Sequence, residues 1–239
     1  MDSTASDATQ TVQPLRVKYD SPSPQSVASH VKTVYLVRHA ESIENEKLGS
    51  LKRWAKTWSR QDFWHGVSLW SEPNMADTPL SQKGRQQVET LSSKLRKDDF
   101  LKTQGVEVVL HSPLERARET CDGVVGSDSD NTYPREELVD LREKTVGEWV
   151  PGFKGSLDER IASFERALCA RKEERILVVG HSQFFRHMLG MAEKFKNCDV
   201  WKVELSRDTL GRPIWSNPEN VVSVFDEVPG ELVSAPALT

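Results

Sequence analysis

Long apolar runs are missing from this chain of 239 residues. No stretch approaches the ~20 residues that a membrane-spanning helix requires, so a helical membrane protein is not expected. Cysteine is scarce. Cys121, Cys169 and Cys198 are odd in number and widely spaced, which argues against a disulfide framework or a zinc site and suits a reducing, cytoplasmic compartment. A strong excess of one charge is also lacking. The net charge of -4 and isoelectric point near 5.9 give no global attraction to nucleic acid or to an anionic membrane. The first residues have neither the apolar centre of a secretory signal nor the Arg-rich, acid-poor character of a transit peptide. No internal repeat is present.

What is there divides into a folded middle and two polar ends. Residues 1–29 are rich in Ser, Thr, Asp, Gln and Pro, and Ser21-Pro22-Ser23-Pro24 is incompatible with regular structure. Residues 229–239 have the character of a loose tail. A single folded domain is therefore expected over residues 30–228, with both ends disordered.

Within that domain, Val34–Val37, Val106–Leu110 and Ile176–Val179 are short, β-branched and bounded by turn chemistry, as buried parallel strands are. Each is followed by a helical pattern, the alternation of an α/β domain. Ser112, Pro113 and Glu115 have the spacing of a capping box, ahead of a face formed by Leu114, Ala117, Cys121 and Val124. Ser156 and Glu159 repeat the box before Leu157, Ile161, Phe164 and Leu168. Ser81 opens a helix with Val88, Leu91 and Leu95 inward, while Lys83, Arg85 and Glu89 face out. Another helix follows Gly180 and buries Phe184, Phe185, Met188 and Leu189. Val200–Leu205 and Val221–Val224 are expected as late strands separated by a turn region rich in Gly, Pro and Asn.

Residues 46–77 exceed an ordinary connection and hold Trp54, Trp58, Trp64 and Trp70 beside Lys47, Lys52, Arg53, Lys56 and Arg60. A partly helical insertion is expected, its tryptophans packing it onto the domain. The competing reading is a lid whose basic face guides anionic substrates.

The chemistry concentrates at strand ends. The first strand terminates in Arg38-His39 and the third in Gly180-His181, while Arg116 opens the helix after the second strand. A parallel sheet places its ligand crevice at these ends, and helix N-termini favour anions. Taken singly, each has a bland account: a hydrogen-bonded structural histidine, or a helix arginine paired with Glu119. Two histidines and two arginines at equivalent ends are hard to assign to packing. They suit phosphoryl transfer, which needs a nucleophile, cations on the phosphoryl oxygens and a proton donor for the leaving group. His39 is the candidate nucleophile, kept neutral by nearby arginines. Arg38 and Arg116 supply planar forks of donors. His181 would donate to the phosphoryl group, aided by the Ser182 amide. Glu143 is the first choice of acid, with Asp140 and Glu148 as rivals that spacing does not separate. His30, His65 and His187 are expected away from the site, His111 near its rim, and Cys121 and Cys169 in packing roles.

The motifs Arg38-His39-Ala40-Glu41-Ser42-x-x-Asn45, Asp77-x-Pro79-Leu80-Ser81-x-x-Gly84-x-Gln86-Gln87, Ser112-Pro113-Leu114-x-Arg116-Ala117-x-x-Thr120, Leu141-x-Glu143-x-x-x-Gly147-x-Trp149 and Gly180-His181-Ser182 occur in this order. Over residues 32–205 the chain resembles the histidine phosphatase superfamily, in its phosphoglycerate-mutase-like branch. The resemblance implies a three-layer α/β/α sandwich with a mostly parallel central sheet. It implies a phosphorylated His39, a phosphate pocket of Arg38, Asn45, Arg116 and His181, and Glu143 as acid and later base. It implies no metal and no organic cofactor. Ala40 stands where the family usually has glycine, and Gln183 stands where glycine is common; neither change removes a reacting group.

Such a site can pass its phosphoryl group to water or to a second substrate hydroxyl. The stretch between Glu143 and His181 is short and largely helical, leaving little room for the platform with which mutases of this family hold their substrate. A phosphatase acting on small phosphomonoesters is therefore expected. A mutase and a non-catalytic protein that binds phosphorylated ligands are the alternatives.

Overall fold

The computed structural model describes residues 31–68, 77–126, 133–143 and 157–225. The expected loose ends, Trp70, Glu148 and the proposed Ser156 cap lie outside these residues. β1 (Lys32–Arg38), β2 (Val108–His111), β3 (Arg135–Glu137), β4 (Arg175–Gly180), β5 (Val200–Arg207) and β6 (Pro213–Val222) form one sheet in the order β3-β2-β4-β1-β5-β6. The first four are parallel, and β5 and β6 are antiparallel additions.

Alternation along the central strands makes two cores. Val34, Leu36, Val108, Leu110, Ile176 and Val178 face helices α6 (Leu157–Ala170) and α7 (Ser182–Leu189). Tyr35, Val37, Val109, Leu177 and Val179 face α3 (Gln82–Lys97), α4 (Phe100–Thr103) and α5 (Glu115–Val125). Strand residues of period two thus feed opposite faces of the sheet, giving the three-layer α/β/α sandwich. On the first face Phe164, Phe184, Phe185 and Phe195 are fully buried and run ring to ring as far as Trp201. Gly180 permits this packing close to the site, because a Cβ there would stand 2.8 Å from the Phe185 ring.

Three local expectations need correction. The helix after β2 starts at Glu115, not Pro113, and Ser112 does not form the capping box. The carboxylate of Asp77 instead accepts the Glu115 N–H at 2.6 Å. A fixed acceptor from another segment has displaced the local one. The last strand runs over Pro213–Val222, not Val221–Val224. It pairs with β5 through irregular register at the sheet edge, where the outer row of N–H groups needs no partner and prolines are tolerated. The three-residue edge strand β3 is polar and carries no apolar pattern, so nothing in its composition announced it.

The insertion forms α1 (Ile43–Thr57) and α2 (Arg60–Val67). Its aromatics pack on one another, Trp54 against Phe63 at 5.0 Å and against Trp58 at 5.6 Å between ring centres. Trp58 and Trp64 remain 76% and 63% exposed, so these two do not pack the insertion onto the domain. Trp58 ends α1 in a left-handed conformation, which turns its side chain off the helix face. Part of the basic character is answered locally, since Arg53 meets Asp62 at 3.3 Å and Lys47 reaches the Ser68 carbonyl at 3.4 Å.

No helix among the described residues is long and apolar enough to cross a membrane.

Candidate active site

Strand register brings the site together. Arg38 lies opposite Gly180, and His111 opposite Val179, so β1, β2 and β4 end level with one another. The chain then leaves each strand through Ala40, Ser112 and Ser182, and three helices begin around one crevice. Residues 77–84 brace the first turn: Ile43 N–H donates to the Pro79 carbonyl at 3.0 Å, and Ser81 N–H to that of Glu41 at 2.9 Å. Ser81 caps α3 through Gly84 N–H at 3.0 Å. Gly84 is needed for the approach, because a Cβ there would come within 2.0 Å of the Glu41 carbonyl oxygen.

The rings of His39 and His181 lie 5.0 Å apart, centre to centre, and both are buried. His39 Nδ1 is 2.6 Å from the Ala40 carbonyl oxygen. That oxygen can only accept, so the proton sits on Nδ1 and Nε2 keeps a bare lone pair. The Ala40 amide is itself held by Thr120 Oγ1 at 3.0 Å, and Thr120 donates to the Arg116 carbonyl at 2.7 Å. The turn carrying His39 is therefore tied to the helix carrying Arg116.

Arg116 is 4% exposed and meets the Glu44 carboxylate at 3.5 Å; its expected bland partner, Glu119, instead accepts the Leu80 N–H at 2.9 Å. Arg38 donates through Nη1 to the Phe195 carbonyl at 2.6 Å. Burial, then Arg116, then Arg38, hold His39 well below its ordinary pKa. Burial acts first on His181 as well, followed by His39, Arg116, Arg38 and Arg160, with the same result. Burial also lowers the pKa of Arg38 against the opposing charges of Glu143 and Asp199. Both imidazoles are therefore neutral at physiological pH.

Of the two candidate carboxylates among the described residues, Glu143 is the one placed at the histidines. Its Oε2 lies 3.7 Å from His181 Nδ1, and the ligating atoms of His39, Glu143 and His181 all lie within 4.8 Å of one another. Arg160 on α6 fixes this segment by donating to the carbonyls of Asp140 at 2.8 Å and Arg142 at 2.7 Å. Asp140 is thus present through its backbone. The trio would serve as metal ligands by residue type, yet the two guanidinium groups that drive protons off both rings oppose a cation there.

Asn45 occupies the first turn of α1, and its Oδ1 is buried without a hydrogen-bond partner among the described residues, as are Arg38 Nε and His181 Nδ1. Ser182 opens α7, which has no side-chain cap. His111 is turned to the Ser112 carbonyl at 3.1 Å. His65 pairs with Glu46 and His187 with Asp158. Residues that the sequence did not single out also matter here. Asn197 donates to the His39 carbonyl, and Ser112 contacts His181. Asn197 lies in an irregular loop with no periodic signal, whereas Ser112 was in plain view but assigned to the helix.

Comparison with known proteins agrees with this geometry. The family model of the histidine phosphatase superfamily, branch 1, matches residues 64–153, a span that holds Arg116 and Glu143 and leaves both histidines outside. A phosphoglycerate mutase-like protein of Arabidopsis thaliana is 25% identical over 233 residues, covering 73% of this chain and 79% of the relative. Two solved structures share the fold. One is a mycobacterial hydrolase, 14% identical with a TM-score of 0.51, covering 79% of this chain and 97% of its own. The other is a mycobacterial glucosyl-3-phosphoglycerate phosphatase in complex with VO3, 15% identical with a TM-score of 0.51, covering 77% and 96%. The chain is thus similar to the histidine phosphatase superfamily over residues 64–153, and to a phosphoglycerate-mutase-like relative over most of its length.

Proposed function

We propose that this protein is a phosphatase that hydrolyses small phosphomonoesters through a phosphohistidine at His39. The observation that carries the reading is the lone pair of His39 Nε2, left bare by the Ala40 carbonyl, on a ring that has a nitrogen within 4.8 Å of a Glu143 carboxyl oxygen. A phosphoryl group between them would meet Arg38, Arg116, Asn45 and His181. In the first step Nε2 attacks phosphorus, the P–O ester bond breaks, and the Glu143 carboxyl gives its proton to the departing alkoxide. In the second, the Glu143 carboxylate takes a proton from water, the water oxygen attacks phosphorus, and the P–N bond breaks to release inorganic phosphate. Positive charge on the phosphoryl oxygens favours both transition states. No metal or organic cofactor is required by this scheme.

Water, not a second substrate hydroxyl, is proposed as acceptor because α6 occupies Leu157–Ala170 of the short stretch between Glu143 and β4. The test is incubation with varied phosphorylated metabolites in chelator. Inorganic phosphate should appear, and acid-labile phosphate should be trapped on the wild type and absent in His39→Ala. Rapid exchange between 2- and 3-phosphoglycerate with negligible hydrolysis would make it a mutase. Tight binding of phosphorylated ligands with no phosphoenzyme would make it a binding protein.

A further inference from the structure

Ser112 takes no part in the scheme above, yet it is fully buried and its Oγ lies 2.8 Å from His181 Nε2. Its expected duty, capping α5, is performed by Asp77. Hydrogen-bond accounting then decides which partner holds the proton. Leu114 N–H donates to Ser112 Oγ at 3.3 Å, filling one acceptor position. Were His181 Nε2–H to donate as well, the hydroxyl would accept twice. Its own hydrogen would then lack an acceptor among the described residues, an outcome that buried hydroxyls avoid. With the hydroxyl donating to a bare Nε2, both the Ser112 hydroxyl and His181 Nε2 are satisfied. The one proton of a neutral imidazole must then sit on Nδ1. That atom is buried, has no hydrogen-bond partner among the described residues, and lies 3.7 Å from Glu143 Oε2.

We propose that Ser112 is the positioning residue that fixes His181 as its Nδ1–H tautomer, presenting that ring to the phosphoryl oxygens as a hydrogen-bond donor. The two histidines are thereby given opposite tasks by opposite neighbours. A carbonyl at His39 Nδ1 leaves a lone pair on the reacting side, whereas a hydroxyl at His181 Nε2 leaves an N–H on that side. The tautomer stands on the geometry alone; its use in the reaction rests on the proposed phosphatase chemistry.

The test is a long-range 1H–15N imidazole spectrum of the full chain at pH 7.5, with His181 assigned by its disappearance in His181→Asn. The wild type should show His181 protonated at Nδ1 and bare at Nε2. Ser112→Ala should shift it towards Nε2–H, and Ser112→Thr should restore the wild-type pattern. The Ala variant should also phosphorylate His39 at least about tenfold more slowly, with KM changed less. A wild-type ring protonated at Nε2 overturns the proposal even if the Ala variant fails to fold. So does a folded Ala variant with unchanged tautomer and turnover. An Nδ1–H ring in a chain that never forms phosphohistidine supports the tautomer assignment and sinks the phosphatase reading.

Discussion

The side-chain amide of Asn197 donates to the carbonyl oxygen of His39 at 2.9 Å, across 158 positions of sequence. Neighbouring residues complete the grip. Cys198 N–H donates to the Arg38 carbonyl at 3.0 Å, and Arg38 N–H to that of Asp199 at 3.2 Å. Asp199 is buried and anchored by Lys196 N–H at 2.7 Å and by the Ser223 hydroxyl at 2.8 Å. The Arg-His turn is thus held from the β5 side as firmly as Thr120 holds it from the α5 side.

Asn197→Ala should lower kcat about fivefold with a smaller change in KM, because a lost hydrogen bond of about 1 kcal/mol acts through the placement of His39. Asn197→Asp should do worse, since it sets a carboxylate against a carbonyl. Steady-state kinetics on p-nitrophenyl phosphate, with a thermal melt as the folding control, measure both. An Asp variant as active as the wild type would count against this positioning role.

Asp77→Ala removes the acceptor for Glu115 N–H and should cost about 1 kcal/mol of stability, as loss of an N-terminal helix cap does. Because that helix begins one residue before Arg116, affinity for inorganic phosphate should weaken as well. Urea unfolding and product-inhibition constants give the two effects separately. Unchanged values for both would show that local chemistry at Ser112 can take over the cap.

Stability should fall as pH drops below about 6.5. Unfolded histidines take up a proton there, whereas folded His39 and His181 resist it until well below. The unfolded state therefore binds more protons, and stability declines at about 1.4 kcal/mol per pH unit for each histidine fully protonated on unfolding. The contribution is complete above pH 6.5 and is lost on the way down to the folded pKa values. Urea titrations at pH 7.5 and 5.5 should show a smaller difference in His39→Asn than in the wild type. An equal difference would assign the acid sensitivity elsewhere.

Glu44→Gln should tighten binding of inorganic phosphate roughly threefold to tenfold, because the Glu44 carboxylate lies 3.5 Å from the buried Arg116 fork and offsets part of its charge. Burial raises the pKa of Glu44, against the opposing pull of Arg116. Substrates bearing a second anionic group should gain most. Competitive inhibition by phosphate measures the change, and weaker binding in the Gln variant would show that Glu44 serves chiefly to orient Arg116.

Much of this was legible in the sequence because it depends on neighbours a few residues apart. The short β-branched runs Val34–Val37 and Ile176–Val179 announced buried strands, and Ser81 announced the start of α3. Failures came where a distant group outcompeted a local one. The carboxylate of Asp77, 38 positions away, took the role expected of Ser112. Edge pairing with β5 organised Pro213–Val222 despite two prolines. The tryptophans of α1 and α2 satisfied one another and left Trp58 and Trp64 in solvent.

By itself the sequence determined the kinds of groups available, two histidines and two arginines at strand ends, and the elements that carry them. Side-chain period and capping chemistry act over a turn or a strand, so they can be read from consecutive residues. Only the tertiary structure decided which carboxylate stands beside His181 and which nitrogen of each ring is engaged by a neighbour. Those outcomes depend on hydrogen bonds between groups far apart in the chain. A proton on an imidazole is placed by whatever acceptor or donor the fold delivers to the opposite nitrogen.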